Sequence, residues 1–181
     1  MDGRIHRVAR LAFAVCVASY GKADRDAIVV AEVPAPYREI FEGWVANDQV
    51  ASVWAGFPYD RLRLERWCVW GGPNLGDLEF HRGGRAVLRG QVDGEQGAFE
   101  GTIDVFDYGK LCYALQELDF EGMKARYSDE GFDVEESTLT ATSPRGTKQI
   151  VDHGDVGPIG LWTLRAAFDG VRARIHWEKA K

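Results

Sequence analysis

Cysteine is scarce. The chain carries only Cys16, Cys68 and Cys112, with no Cys-x-x-Cys pair. A thiol redox motif, a zinc ribbon and a disulfide scaffold therefore find no support. Basic excess is missing as well: 22 Lys plus Arg stand against 28 Asp plus Glu, a net charge of -6. A general nucleic-acid binder is not expected, because neutralising phosphates needs a basic face. No apolar run reaches the roughly 20 residues with which a helix spans a bilayer. There is no internal repeat, no low-complexity tract and no clear linker. What remains is a chain of 181 residues, 45% apolar and 28% charged, long enough to bury a core as one domain.

Residues 1–23 admit two readings. Arg4, Arg7 and Arg10 precede the apolar run from Leu11 to Tyr20, and the small residues Gly21 and Ala23 follow, the order of a short secretory signal. Alternatively Ile5, Val8, Leu11, Ala12 and Val15 recur at helical spacing, with Gly21 suited to a C-cap. Asp2 dilutes the basic start and Arg10 crowds the run, which favours retention and a cytoplasmic location. Cleavage would instead make the protein periplasmic or secreted. In the retained chain the three cysteines are expected reduced and packed. In the cleaved chain a Cys68–Cys112 bridge is open.

Strand and helix periods alternate along the chain. Ala27 to Val33 reads as a strand, and Ile40, Phe41 and Trp44 share one helical face. From Leu62 the period becomes two: Leu62, Leu64, Arg66, Cys68 and Trp70 alternate with Arg63, Glu65, Trp67 and Val69. Gly71 to Asn74 turns the chain into a strand with Leu78 and Phe80. Arg82-Gly83-Gly84-Arg85 and Asp93-Gly94 mark hairpin turns around Ala86 to Val92. Ala98 to Ile103 closes this meander. Asp104 or Asp107 can cap a helix with Tyr108, Leu111, Cys112, Leu115 and Leu118 on one stripe. Ser137 to Thr142 and Thr147 to Asp152 form a second hairpin. Gly157-Pro158 opens a last helix, with Leu161, Leu164, Arg165, Phe168 and Val171 along one side. The expected class is α+β: an antiparallel sheet of hairpins with helices on one face. Residues 1–60 form an N-terminal helix and strand extension packed on the 61–181 domain.

Ile150-Val151-Asp152-His153-Gly154-Asp155-Val156-Gly157-Pro158, followed by Leu161, Leu164, Asp169 and Trp177, resembles a bacterial family of small domains of unknown function. Members of that family are often secreted or lipoproteins. The match runs from about Leu62 to Trp177, and its most specific piece is the Gly-Asp-x-Gly-Pro opening of the last helix. The family pairs two cysteines in its first turn. Cys68 and Pro73 fit that turn, but Gly72 stands where the second cysteine would be. The resemblance implies the fold and its boundaries and no activity.

Chemistry-bearing residues are sparse. His6, His81, His153 and His176 show no metal-ligand spacing. Asp152-His153-Gly154-Asp155 could form a general base or metal site, joined by His81, but Asp and Gly serve turns more often than chemistry. Gly71 to Gly76 lacks the ending of a phosphate loop, and no serine sits in a Gly-x-Ser-x-Gly frame. Cys112 lies on the apolar stripe, where a thiol is inert. No catalytic residue, cofactor or metal is therefore expected.

Asp129-Glu130-Gly131-Phe132-Asp133-Val134-Glu135-Glu136 carries five carboxylates and no base. A solvated loop is the ordinary outcome. The sharper expectation makes Asp129, Glu130, Asp133, Glu135 and Glu136 an acidic docking rim around Phe132, for a basic protein partner. By parity Trp67 and Trp70 face opposite sides of one strand. One of them is expected to be covered by the N-terminal segment, where Trp44 and Trp54 supply packing. The expected function is a non-catalytic binding module of the immunity or inhibitor type. The alternatives are a hydrolase-like or metal-dependent site around Asp152, His153 and Asp155, and an envelope protein of structural role.

Overall fold

The computed structural model describes residues 54–68, 76–128 and 135–181. The expectations for residues 1–53, Cys68's side chain, Trp70, the Gly71–Asn74 turn and residues 129–134 lie outside them. The strands are β1 (Arg61–Cys68), β2 (Gly76–His81), β3 (Arg85–Val92), β4 (Glu95–Thr102), β5 (Arg126–Ser128), β6 (Glu135–Ser143), β7 (Gly146–His153) and β8 (Glu178–Lys179). The helices are α1 (Val105–Glu117) and α2 (Ile159–Arg172), with a 3-10 turn at Phe120–Gly122. All eight strands join one sheet in the order β5-β7-β6-β1-β2-β3-β4-β8.

The α+β class holds, but the sheet is mixed. Short β5 runs parallel to β7, with Arg126 opposite Val151 and Ser128 opposite His153, while the other neighbours are antiparallel. Three residues with an exposed–intermediate–exposed pattern offer no hydrophobic period to read. The tail also continues into the sheet, since Glu178 and Lys179 pair with Glu100 and Phe99 of β4. Gly101 permits this approach: a Cβ there would stand 2.5 Å from Ile175 Cγ2 and 2.8 Å from the His176 carbonyl oxygen.

Local chemistry explains the connections. Asp93 and Gly94 both take positive φ, 49° and 85°, the geometry of a tight two-residue hairpin turn. Val92 and Glu95 on either side are register partners. At the start of α1, Asp104 is extended and its carboxylate accepts the Phe106 N–H at 2.8 Å. Such a cap contributes about 1 kcal/mol.

One face of the sheet is dry. Leu62, Leu64, Leu78, Phe80, Leu88, Leu139 and Ile150 bury against Leu111, Leu115, Leu161, Leu164 and Phe168 of the helices in one cluster. Each such side chain contributes roughly 1.5–3 kcal/mol by leaving water. Phe80 and Phe168 meet ring to ring, with centroids 5.6 Å apart. The core reaches back before β1 through Phe57 and Tyr59. Trp54 packs here too, 5.7 Å from Phe57 and 5.3 Å from Tyr108 between ring centroids. It therefore serves the helix layer, where the Tyr108 hydroxyl donates to the Tyr59 carbonyl at 2.9 Å.

The other face carries charge. Asp77 accepts from Arg63 at 2.7 and 2.8 Å and from Arg89 at 2.9 Å. Arg85 donates to Glu100 at 2.6 Å, and His81 Nε2 stands 2.5 Å from Glu79. Burial alone would raise the Asp77 pKa. The hydrogen bonds and charge of Arg63, then Arg89, outweigh it and hold the carboxyl below its usual value. A depressed carboxylate contributes stability above its unfolded pKa of about 4, lost as pH falls through the folded value. Asp77→Asn should therefore cost about 1 kcal/mol at neutral pH, the partly exposed arginines limiting the effect. The gap between the urea midpoints of the variant and the parent should narrow as pH falls below about 4. A difference that stays constant with pH would contradict this assignment.

Candidate protein interface

The residues expected to do chemistry part company in the fold. Along β7 the alternation turns Asp152 inward, 1% exposed, and His153 outward, with Nδ1 3.5 Å from Glu136. Asp152 accepts the Gly157 N–H at 2.9 Å and lies 3.4 Å from Arg165. Arg165, 5% exposed, donates to Ser137 Oγ at 2.8 Å and also pairs with Asp155. Both carboxylates thus tie the β7–α2 turn to a buried guanidinium and leave His153 on the far side.

His81 is not beside His153 either. His81 is level with Arg61, Thr142 and Thr147 in the register. His153 ends the same β7 strand six residues later, roughly 20 Å along the sheet. The expected alternative of a hydrolase-like or metal-dependent site loses its convergence. Among the described residues no group of three or more His, Cys, Asp or Glu could hold a metal ion. Cys112 is free and buried, so no Cys68–Cys112 bridge forms. Desolvation pushes its thiol pKa well up, which suppresses the thiolate a nucleophile needs.

A different feature emerges at the end of the sheet where β1 and β7 finish and β6 begins. The register places Trp67 opposite Glu136 and Cys68 opposite Glu135. Glu136 in turn faces His153, and the Gly154 N–H reaches the Glu135 carbonyl at 2.9 Å. From there the chain enters α2. This helix crosses the strand ends: its Asp169 takes Arg66 of β1 at 2.6 and 3.1 Å, and its Arg172 donates to the Gln91 carbonyl of β3 at 2.8 Å. Leu161, Leu164, Arg165 and Phe168 fill its buried side. Ile159, Trp162 and Ala166 fall on the opposite side, as a spacing of three and four requires.

Four large apolar side chains are exposed among the described residues: Trp67 at 63%, Val156 at 46%, Ile159 at 66% and Trp162 at 59%. All four lie toward this end, Trp67 on the charged face of the sheet and Ile159 and Trp162 on the side of α2 turned away from the sheet. The covering expected for one strand tryptophan is not found at Trp67. Of the acidic residues expected to dock a partner, Glu135 and Glu136 are among the described residues. Glu135 and Glu136 begin β6, with Glu135 3.5 Å from Arg66 and Glu136 3.3 Å from Arg126. Asp129, Glu130, Phe132 and Asp133 lie outside the described residues, in the segment joining Ser128 to Glu135. Ser128 faces His153 in the register, so both anchor points of that segment are at this end. Val156, Ile159 and Trp162 are the residues that sequence reasoning missed. The signal was present: a helix with Leu161 and Leu164 inside must turn Ile159 and Trp162 outward.

Comparison with protein-family models, curated proteins and solved structures returns no match.

Arg165 is the residue whose removal should be felt most. Arg165→Ala leaves Asp152 buried without its cation and is expected to cost about 3 kcal/mol in urea unfolding. Asp155→Asn, on the exposed rim of the same cluster and tolerant of the positive φ of 56° at this position, should cost under about 1 kcal/mol. Equal effects would refute the division between buried tie and surface tie. In a chain with Cys16 and Cys68 replaced by serine, Cys112 should resist a thiol reagent until denaturant is added. Rapid native labelling would disprove its burial.

Proposed function

We propose that the protein is a non-catalytic binding module that grips a basic protein partner with this end of the sheet, in the manner of an immunity or inhibitor-type protein. The observation that supports the reading is the exposure of Trp67, Val156, Ile159 and Trp162 toward the end of the sheet where Glu135 and Glu136 begin β6, Trp67 on the charged face and Ile159 and Trp162 on the outer side of α2. A free apolar surface of this kind is stabilised by being covered, and tryptophan is among the side chains most often central to protein interfaces. The surrounding charge favours a cationic partner. The net charge is -6 and the 129–136 segment carries no base, which speeds encounter with a positive surface and sets its orientation.

Division of labour follows from exposure. Ile159 and Trp162, 66% and 59% exposed on one side of α2, act as anchors. The carboxylates act at the rim, where they contribute more to association rate and selectivity than to affinity. Arg165 and Asp152 stay inside and position α2 without touching the partner.

The reading is tested by affinity capture from host lysate, followed by binding measurements on the captured protein. Trp162→Ala should weaken binding by about 2 kcal/mol, chiefly through faster dissociation. Converting Asp129, Glu130, Asp133, Glu135 and Glu136 to their amides should slow association and flatten the salt dependence. Arg145→Ala, at the opposite end of the sheet, should change nothing. A captured protein that is acidic, or one indifferent to both interface variants, would overturn the proposal.

A further inference from the structure

A concavity lies at the other end of the sheet, away from the proposed partner surface. It has a volume of about 840 Å³, opens to solvent, and is bordered by the 57–59 segment, the end of α1 with its 3-10 turn, and the β6–β7 turn. That size is within the roughly 300–1,000 Å³ of small-molecule sites. Phe57, Tyr59 and Phe120, all buried in the core, supply an apolar floor. The two sides differ in sign. Arg145 and Lys148 line one side, from the β6–β7 hairpin; Asp119 and Glu121 line the other, from the 3-10 turn.

Their pairing is unusual for this molecule. Elsewhere arginines are matched closely to carboxylates: Arg63 and Arg89 to Asp77, Arg66 to Asp169, Arg174 to Asp107. Arg82, also at this cleft, is already matched to Asp60 at 2.5 Å. Among the described residues neither Arg145 nor Asp119 enters an ion pair. Lys148 donates to the Met123 carbonyl at 2.7 Å, so its charge is uncompensated by any described carboxylate. Glu121 faces the Tyr59 phenol. Burial, and then the Glu121 charge and hydrogen bond, push that phenol up to about 12, so it stays a neutral donor to Glu121 at physiological pH. The Asp119 carboxylate folds over Gly122, where a Cβ would stand within 3 Å of three of its atoms. Any side chain at 122 would displace it.

We propose that this cleft binds a short peptide with free termini. The carboxylate end would meet Arg145 and Lys148, the ammonium end Asp119 and Glu121, and an apolar side chain the Phe57, Tyr59 and Phe120 floor. Opposite charges that face one cleft without closing on each other are bridged by a ligand carrying both. A dipeptide or tripeptide extends about 7–10 Å, a length that a concavity of about 840 Å³ admits. Charge-assisted hydrogen bonds at each terminus supply orientation, and the floor supplies contact area.

The test uses leucyl-phenylalanine, its N-acetylated form and its C-terminal amide, titrated into the full chain by calorimetry and by amide chemical shifts. The free dipeptide should bind, with shifts centred on residues 115–121 and 143–148. Each blocked form should bind about tenfold more weakly, the loss expected for one charged contact. Arg145→Ala combined with Lys148→Ala should weaken the free dipeptide and leave the amide, which lacks the carboxylate, unaffected. Glu121→Gln combined with Asp119→Asn should weaken the free dipeptide and leave the acetylated form unaffected. No saturable response at about 10 mM dipeptide, equal affinity for the three forms, or shifts centred elsewhere would each overturn the proposal.

Discussion

Arg165 occupies a position where a cation is costly unless it is matched. Its guanidinium sits between β6, through Ser137, and the β7–α2 turn, through Asp152 and Asp155. A buried charge of this kind adds little net stability over an apolar core, yet it permits few alternative arrangements, because any shift of α2 leaves a charge stranded in a low dielectric. The rest of that end depends on the match. Gly157 is held by Asp152 and α2 begins immediately after it. The exposed side of the helix, with Ile159 and Trp162, is thereby aimed away from the sheet and kept there.

The sheet itself separates two kinds of chemistry. Its inner face is apolar and closed by both helices. Its outer face is a lattice of ion pairs centred on Asp77, Glu79 and Glu100. These pairs are partly exposed and each is worth little. Their larger effect is to keep one broad face wetted and unattractive to other chains. An exposed tryptophan on that background, Trp67, is conspicuous because its neighbours are charged.

The two ends of the strands then differ in character. At one, apolar groups are open and Glu135 and Glu136 begin a strand. At the other, a concavity over aromatic residues holds cations and carboxylates that do not close on each other. α2 crosses the strand ends at the first, and the end of α1 borders the second. Each helix therefore both seals the core and shapes a surface.

Much of the architecture was legible in the chain. Period-two alternation in Leu62 to Trp67, the Asp93-Gly94 turn and the stripes Tyr108–Leu115 and Leu161–Val171 each follow from local sterics and from burial on one side. These are near-neighbour effects, and a linear string records them. β5 and β8 were not legible, because edge strands so short have no period of their own and exist through pairing with strands already in place. Of the acidic segment 129–136, Glu135 and Glu136 could be named from composition, but the meeting of Glu136 with Trp67 across the β1–β6 register could not. The sequence determined which side of each element is apolar, since that depends on spacing alone. Only the tertiary structure decided which apolar residues stay uncovered, and that His81 and His153 stand apart, since both depend on how distant segments cross.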